Sequence, residues 1–224
     1  MGTAIYTKGS DMSGTSNNFY APVSNPLAWG NFESDAVRES RRLRNWGKYG
    51  GTFSLSGIAK LVAVGIAAQP GTESRVTLGN YTPDAYTLIA LVDVGASAAI
   101  MRHRNIRIYT DASKKLMRIM DGGTVTSTIT APDTGAFVVF LSGDLAGHSF
   151  GMVTSTSAQK ATSNTAATGT TATSLGGLNS VGSAAAWSAF GSAFYDRKLT
   201  DNEMMQVAEN LIGRALRLGV NANG

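Results

Sequence analysis

Ser188-Ala-Phe-Gly-Ser-Ala-Phe-Tyr195-Asp-Arg-Lys-Leu-Thr200-Asp-Asn-Glu203-Met-Met-Gln-Val-Ala-Glu-Asn-Leu211-Ile-Gly-Arg214 runs an aromatic strand straight into a helix. Thr200 followed three residues later by Glu203 is a capping box: the hydroxyl accepts from the Glu203 backbone N–H, and the carboxylate reaches back to the start. Met204, Val207, Ala208, Leu211, Ala215 and Leu218 then recur at helical spacing on one face. Tyr195 is expected to end the strand with its ring in the core and its hydroxyl in water. Leu199 is expected to plug the edge.

Upstream of Thr200 the texture is that of β-structure. Strand candidates are Thr52–Ser56, Ile58–Ala68, Arg75–Leu78, Ala85–Val94, Ala98–Arg102, Ile106–Thr110, Lys115–Met120, Thr124–Thr130, Ala136–Leu141, His148–Ser155 and Ala184–Tyr195. Ala85–Val94 is almost continuously apolar, which predicts burial on both faces. Gln69-Pro-Gly-Thr, Asn80-Tyr-Thr-Pro-Asp, Asp121-Gly-Gly and Gly176-Gly177 read as turns. The Ser/Thr/Ala-rich stretch 154–174 predicts polar strands around one long loop. Strands every eight to twelve residues, with no βαβ alternation, predict an all-β antiparallel jelly-roll sandwich closed by one C-terminal helix.

Residues 1–45 read as an N-terminal arm, and 46–224 as the sandwich domain. The arm ends in a predicted short helix over Ser34–Trp46, with Ser34 as N-cap, Asp35 in the first turn and Gly47 as the stop. Arg38, Arg41, Arg42 and Arg44 with Trp46 form a basic cluster. It suits docking onto an acidic neighbour in an assembly or a solvated helix face, and less readily nucleic acid. Trp29 is a candidate anchor for the arm, whereas Trp187 reads as core.

The chain has 224 residues, 43% of them hydrophobic, which is enough for one sizeable core. Only 15% are charged, so Ser, Thr, Asn, Gly and Ala must cover much of the surface. A net charge of +4 is small for a dedicated nucleic-acid binder. With no cysteine, disulfides and thiolate metal sites are excluded. No apolar leader resembling a signal peptide and no bilayer-length apolar run is seen.

The stretch from Leu175-Gly-Gly through Trp187 to Tyr195-Asp-Arg-Lys-Leu-Thr-Asp-Asn-Glu203 resembles the laminin-G-like, concanavalin-A-like lectin/glucanase superfamily, and the resemblance extends over residues 50–215. Cysteine-free variants with a polar N-terminal extension are similar to domains on tailed-bacteriophage virion proteins. The resemblance implies a virion location and a non-enzymatic role. The leading role is a tail-associated receptor-binding module for cell-surface glycan, trimeric in the usual case, with other virion proteins as partners. The alternative is a capsid decoration or packing protein.

Candidate chemistry is sparse. Glycoside hydrolysis needs two carboxylates flanking the scissile bond, and Glu33, Glu39, Glu73, Glu203 and Glu209 make no strand-borne cluster. His103 and His148 read as surface or turn residues, with His148 able to meet Asp144 in a loop. The resemblance admits calcium, with Asp121, Asp133 and Asp144 in predicted loops, but no ligand set is defined. Arg102-His-Arg104-Asn-Ile-Arg107 with Lys114, Lys115 and Arg118 carries six basic residues against one acid, Asp111. On a strand Arg102 and Arg104 would share a face, so Arg102, Arg104 and Arg107 are the candidate ligand-binding residues, for acidic polysaccharide, lipopolysaccharide phosphate or an acidic neighbouring subunit; the alternative is a solvated outer face.

Overall fold

The computed structural model describes residues 21–68, 74–120, 123–177 and 185–224. In chain order its elements are β1 (Ala28–Gly30), α1 (Glu39–Arg42), β2 (Ser54–Gly57), β3 (Lys60–Leu61), β4 (Ile66–Ala68), β5 (Ser74–Gly79), β6 (Tyr86–Val94), β7 (Ala99–His103), β8 (Ile106–Thr110), β9 (Lys115–Met120), β10 (Gly123–Thr130), β11 (Phe137–Asp144), β12 (Gly147–Val153), β13 (Ala158–Ser163), β14 (Thr173–Gly177), β15 (Trp187–Tyr195) and α2 (Asp201–Arg217). They form two antiparallel sheets packed face to face. One has the order β13-β12-β11-β6-β15-β4-β3, with β1 also pairing β15; the other has the order β10-β9-β8-β7-β14-β5-β2.

Burial explains the order of the first sheet. β6 and β11 are buried on both faces, as their apolar runs require. They can therefore only be central strands, with the inter-sheet core on one side and α2 on the other. Leu88, Ala90, Val92, Val139 and Leu141 join the inter-sheet core. Their alternates Ile89, Leu91, Val138 and Phe140 face Met204, Val207, Ala208, Leu211 and Ala215 of α2.

The capping box forms as the sequence predicts. The Glu203 N–H donates to Thr200 Oγ1 (3.3 Å), and the Thr200 N–H donates to Glu203 Oε2 (2.9 Å). Arg197 clamps the same carboxylate in a two-pronged pair of 3.0 and 2.7 Å. The Thr87 hydroxyl fixes the joint from β6, accepting from the Leu199 N–H (2.9 Å) and lying 2.9 Å from the Arg197 carbonyl.

The N-terminal boundary moves. Residues 1–20 of the expected arm lie outside the described residues, but the expected division at 45/46 falls inside the folded body. β1 pairs β15 in register Ala28↔Phe194 and Gly30↔Ser192. Asn45 Oδ1 accepts from the Trp29 N–H, and the Asn45 amide donates to the Leu27 carbonyl. The predicted helix shrinks to one turn. Ser34, the expected N-cap, instead bridges Val64, and Arg38 starts the turn without a side-chain cap.

Three smaller expectations also change. Ile58–Ala68 is broken at Gly65, which turns with φ +84° and where a Cβ would lie 2.5 Å from the Ala189 carbonyl oxygen. Gly176-Gly177 is not a turn; it lies in β14, opposite Arg75 and Ser74 of β5. The Tyr195 hydroxyl is dry: the residue is fully buried and donates to the Val23 carbonyl at 3.1 Å, and burial pushes its phenol pKa up. The turns expected at 69–72 and at Asp121-Gly122 lie outside the described residues.

Candidate functional site

Among the described residues, no helix lies over the outer face of the seven-stranded sheet. Its inward side chains, among them Val76, Leu78, Ile100, Ile106, Ile108, Leu116 and Leu175, fill the inter-sheet core. Period-two alternation turns the others out: Arg75 and Thr77 on β5, Arg102 on β7, Arg107 and Tyr109 on β8, and Lys115, Met117 and Ile119 on β9. Four of these are cations. None of the seven strands contains an Asp or Glu. Arg102 and Arg107 stand directly opposite each other across β7 and β8, where like charges disfavour folding. Between them Ala99, Met101, Tyr109 and Ile119 floor a depression of only about 10 Å³. The face is thus a platform rather than a pocket.

The three expected ligand residues part company here. Arg107 stays on the platform. Arg102 lies at its rim, donating through Nη2 to Thr171 Oγ1 (3.0 Å) and through Nε to the Arg104 carbonyl (3.1 Å). Arg104 does not share its face. It occupies the β7–β8 turn with φ +52°, a conformation uncommon outside glycine. From there it pairs with Asp84 (3.1 Å) and donates to the carbonyls of Ala167 (3.2 Å) and Thr82. A sequence-based face assignment for Arg104 fails because the chain reverses at that residue.

Arg102 and Arg104 instead staple a loop. Residues 164–172 cross from β13 in one sheet to β14 in the other, roofing one end of the sandwich. Asn105 adds a reciprocal amide clamp on Thr168 of 2.7 and 2.9 Å. His148 Nδ1 lies 2.7 Å from the Thr165 carbonyl, and His103 Nδ1 2.8 Å from Thr173 Oγ1.

Neither histidine is a surface residue. His103 is fully buried, 4.2 Å from the Tyr86 ring centroid and 5.2 Å from that of Phe194. Burial, and secondarily the Arg104 charge, pushes its pKa down to about 3. His148 is 4% exposed, and burial likewise holds it below the usual histidine range. The sequence gives no sign of this burial, which follows from cross-strand pairing: His103 pairs with Ile106, and His148 sits between Gly143 and Ser163.

The expected docking cluster divides: Arg38, Arg41 and Arg44 are exposed and Trp46 is half-buried, whereas Trp29 and Arg42 are internal. Trp29 is fully buried beneath α2 and belongs to the second core rather than to an interface. Arg42 is buried, donating to the Val62 and Gly65 carbonyls (3.0 Å to the latter). Arg41 lies 3.5 Å from Glu33, whose other oxygen takes Arg214 of α2 at 3.1 Å. Arg44 covers the half-buried Trp46 ring at 4.4 Å. Arg38 is exposed at the start of α1.

Trp187 is core, donating from Nε1 to Ser74 Oγ at 3.0 Å. Among the expected calcium-loop residues, Asp121 lies outside the described residues. Asp144 pairs with Lys198 at 2.8 Å, and Asp133 offers its carbonyl to Lys114. Among the described residues no three His, Cys, Asp or Glu converge on a metal position, and no helix is long and apolar enough to cross a membrane.

No protein-family model matches the chain, and no curated protein matches it. Its fold is similar to solved structures at low identity. Trypanosoma rangeli sialidase aligns at 12% identity and TM-score 0.58, over 85% of this chain and 33% of that one. The receptor binding domain of the botulinum neurotoxin C/D mosaic serotype aligns at 9% and 0.60, over 84% and 52%. The binding domain of botulinum neurotoxin DC, solved in complex with SialylT, aligns at 10% and 0.59, over 83% and 50%. The chain thus spans between a third and about half of the chains it resembles, and the likeness is one of fold: a β-sandwich.

Proposed function

We propose that this chain is a non-enzymatic recognition module whose seven-stranded sheet presents a platform to acidic cell-surface polysaccharide. The observation that carries the reading is the outer face itself. Four cations and an aromatic ring sit on strands without a single acid, and among the described residues no helix lies over them. An extended polyanion fits such a face: sulfate, phosphate or carboxylate groups relieve the Arg102–Arg107 repulsion, and Tyr109 offers a ring for stacking. The toxin receptor-binding domains that share the fold agree with a binding role. Within the setting implied by the sequence resemblance, the module belongs to a phage virion, tail-associated and trimeric, with other virion proteins as neighbours.

The test is binding of full-length protein to purified acidic host polysaccharide, followed by calorimetry at two ionic strengths. Binding that weakens steeply with salt and falls about tenfold in Arg107→Glu, with the melting temperature no lower than that of the parent chain, supports the reading. Retention on assembled virion shells but on no polysaccharide overturns it in favour of a packing role. Release of reducing ends from the polysaccharide overturns the non-enzymatic part.

A further inference from the structure

The loop that roofs one end of the sandwich, residues 164–172, is fastened by side chains from both sheets. Arg102 reaches Thr171, Arg104 the Ala167 carbonyl, Asn105 Thr168, His148 the Thr165 carbonyl, and His103 Thr173 at the foot. Of these fasteners only the histidines can change charge near neutral pH. One of them lies directly beneath the loop.

Tyr86, Gly143, His148 and Ser163 are successive cross-strand partners on β6, β11, β12 and β13, and so share one face of the sheet. Tyr86 and Phe150 belong to the inter-sheet core, so that face points inward. Ser163 ends β13 and His148 is the second residue of β12, so their pair is the last inward rung before the loop. A carbonyl only accepts, so the 2.7 Å contact with Thr165 places the proton of the neutral ring on Nδ1. His148 Nε2 is buried and hydrogen-bonded to no protein atom.

The groups around this ring offer a second proton no counter-charge. From β9 in the opposite sheet, buried Arg118 reaches Ser163 Oγ at 3.3 Å. From β6 comes the Tyr86 phenol, which burial keeps neutral by pushing its pKa up; its oxygen lies 2.6 Å from where a Cβ on Gly143 would stand. β11 ends in Asp144, which is bound to Lys198 at 2.8 Å, and Lys160 of β13 is paired with Asp201. The loop itself has no ionisable side chain. Burial holds the His148 pKa below the usual range; the Thr165 carbonyl opposes this, and the Arg118 charge adds to it. Lifting the loop returns water to the ring and restores the ordinary value of about 6.5. The open form then takes up a proton that the closed form refuses, so the balance moves towards open as pH falls through about 6.5.

We infer that the roof loop is an acid-released latch: proton uptake at His148 lifts residues 164–172 while both sheets stay paired. The latch is independent of the basic platform and stands if that reading fails.

The experiment is amide hydrogen exchange on the full ¹⁵N-labelled chain between about pH 5 and about pH 7.5, above the ordinary carboxylate range. The reporters are the amides of Thr168, which donates to Asn105 Oδ1, and of Asn105, which donates to the Thr168 carbonyl. Each rate is divided by that of an unstructured peptide at the same pH. Expected is a loss of protection below about pH 6.5 of up to about tenfold per pH unit, the slope for one proton. Protection of both reporters is expected to stay far below that of Ile89 and Ala90 in β6, which marks a local opening. His148→Asn keeps an N–H for the Thr165 carbonyl but does not titrate, and is expected to flatten the slope. His103→Phe is expected to leave it, since folded His103, with a pKa of about 3, stays neutral in this range. The chain has only two histidines, so a slope that survives His103→Phe belongs to His148 even if His148→Asn does not fold. A flat profile in the parent chain, a slope that survives His148→Asn or vanishes in His103→Phe, or protection equal to that of β6 overturns the inference.

Discussion

The two outer faces of the sandwich arise from the same alternation and are finished in opposite ways. Outside the eight-stranded sheet, Ile89, Leu91, Val138 and Phe140 meet a capped helix and the segment around Trp29, and the result is a second core. Outside the seven-stranded sheet, the equivalent positions hold Arg75, Arg102, Arg107 and Tyr109. The difference teaches where to look for function in a chain with few charges. One face uses its side chains for stability, and the other leaves cations without acids on their strands.

The contrast can be broken most decisively at Leu211. Leu211→Asp sets an unpaired charge in the second core and is expected to cost more than ~4 kcal/mol in denaturant unfolding. An unchanged melting temperature would mean that α2 does not cover its face. The seam between the sheets is tested by acid. The folded pKa of His103 lies below its unfolded value, so under pH 6.5 the unfolded chain takes up a proton that the folded chain refuses. Stability is therefore expected to fall as pH drops from about 6.5 towards 3, by on the order of 4 kcal/mol in all. His103→Phe should flatten that slope in melts recorded across the range.

Arg214→Ala leaves Glu33 buried without its main partner and is expected to cost about 3 kcal/mol, with Arg214→Met less harmful than Arg214→Ala if Glu33 is replaced by Gln in the same chain. Thr200→Ala removes one half of the capping box, for about 1 kcal/mol. Met117→Asp, on the outer face of the seven-stranded sheet, should cost under ~1 kcal/mol while weakening polyanion binding. A collapse of stability there would show that the face is covered after all.

The helix and its cap were legible from Thr200 and Glu203 because capping is local: two residues and a spacing determine it. The central position of β6 was legible because a run of apolar residues has only one place to go. Trp29 was not. A three-residue strand carries no period, and its burial depends on β15, more than 150 residues away. Arg104 and His103 were misplaced for a related reason. The strand ends at His103, so Arg104 turns to the roof loop, while His103 alternates with Arg102 and points into the core.

β15 lies at the centre of the eight-stranded sheet, with β6 along one edge and both β4 and β1 along the other. It is also the last of the described strands in chain order. Until residues 187–195 are in place, β6 keeps an open apolar edge, β1 has no strand to pair with, and β4 has only the two-residue β3. Closing this sheet therefore waits on pairings of long sequence separation, which slow folding. A chain truncated before Trp187 would display β6 as an unpaired edge strand and aggregate.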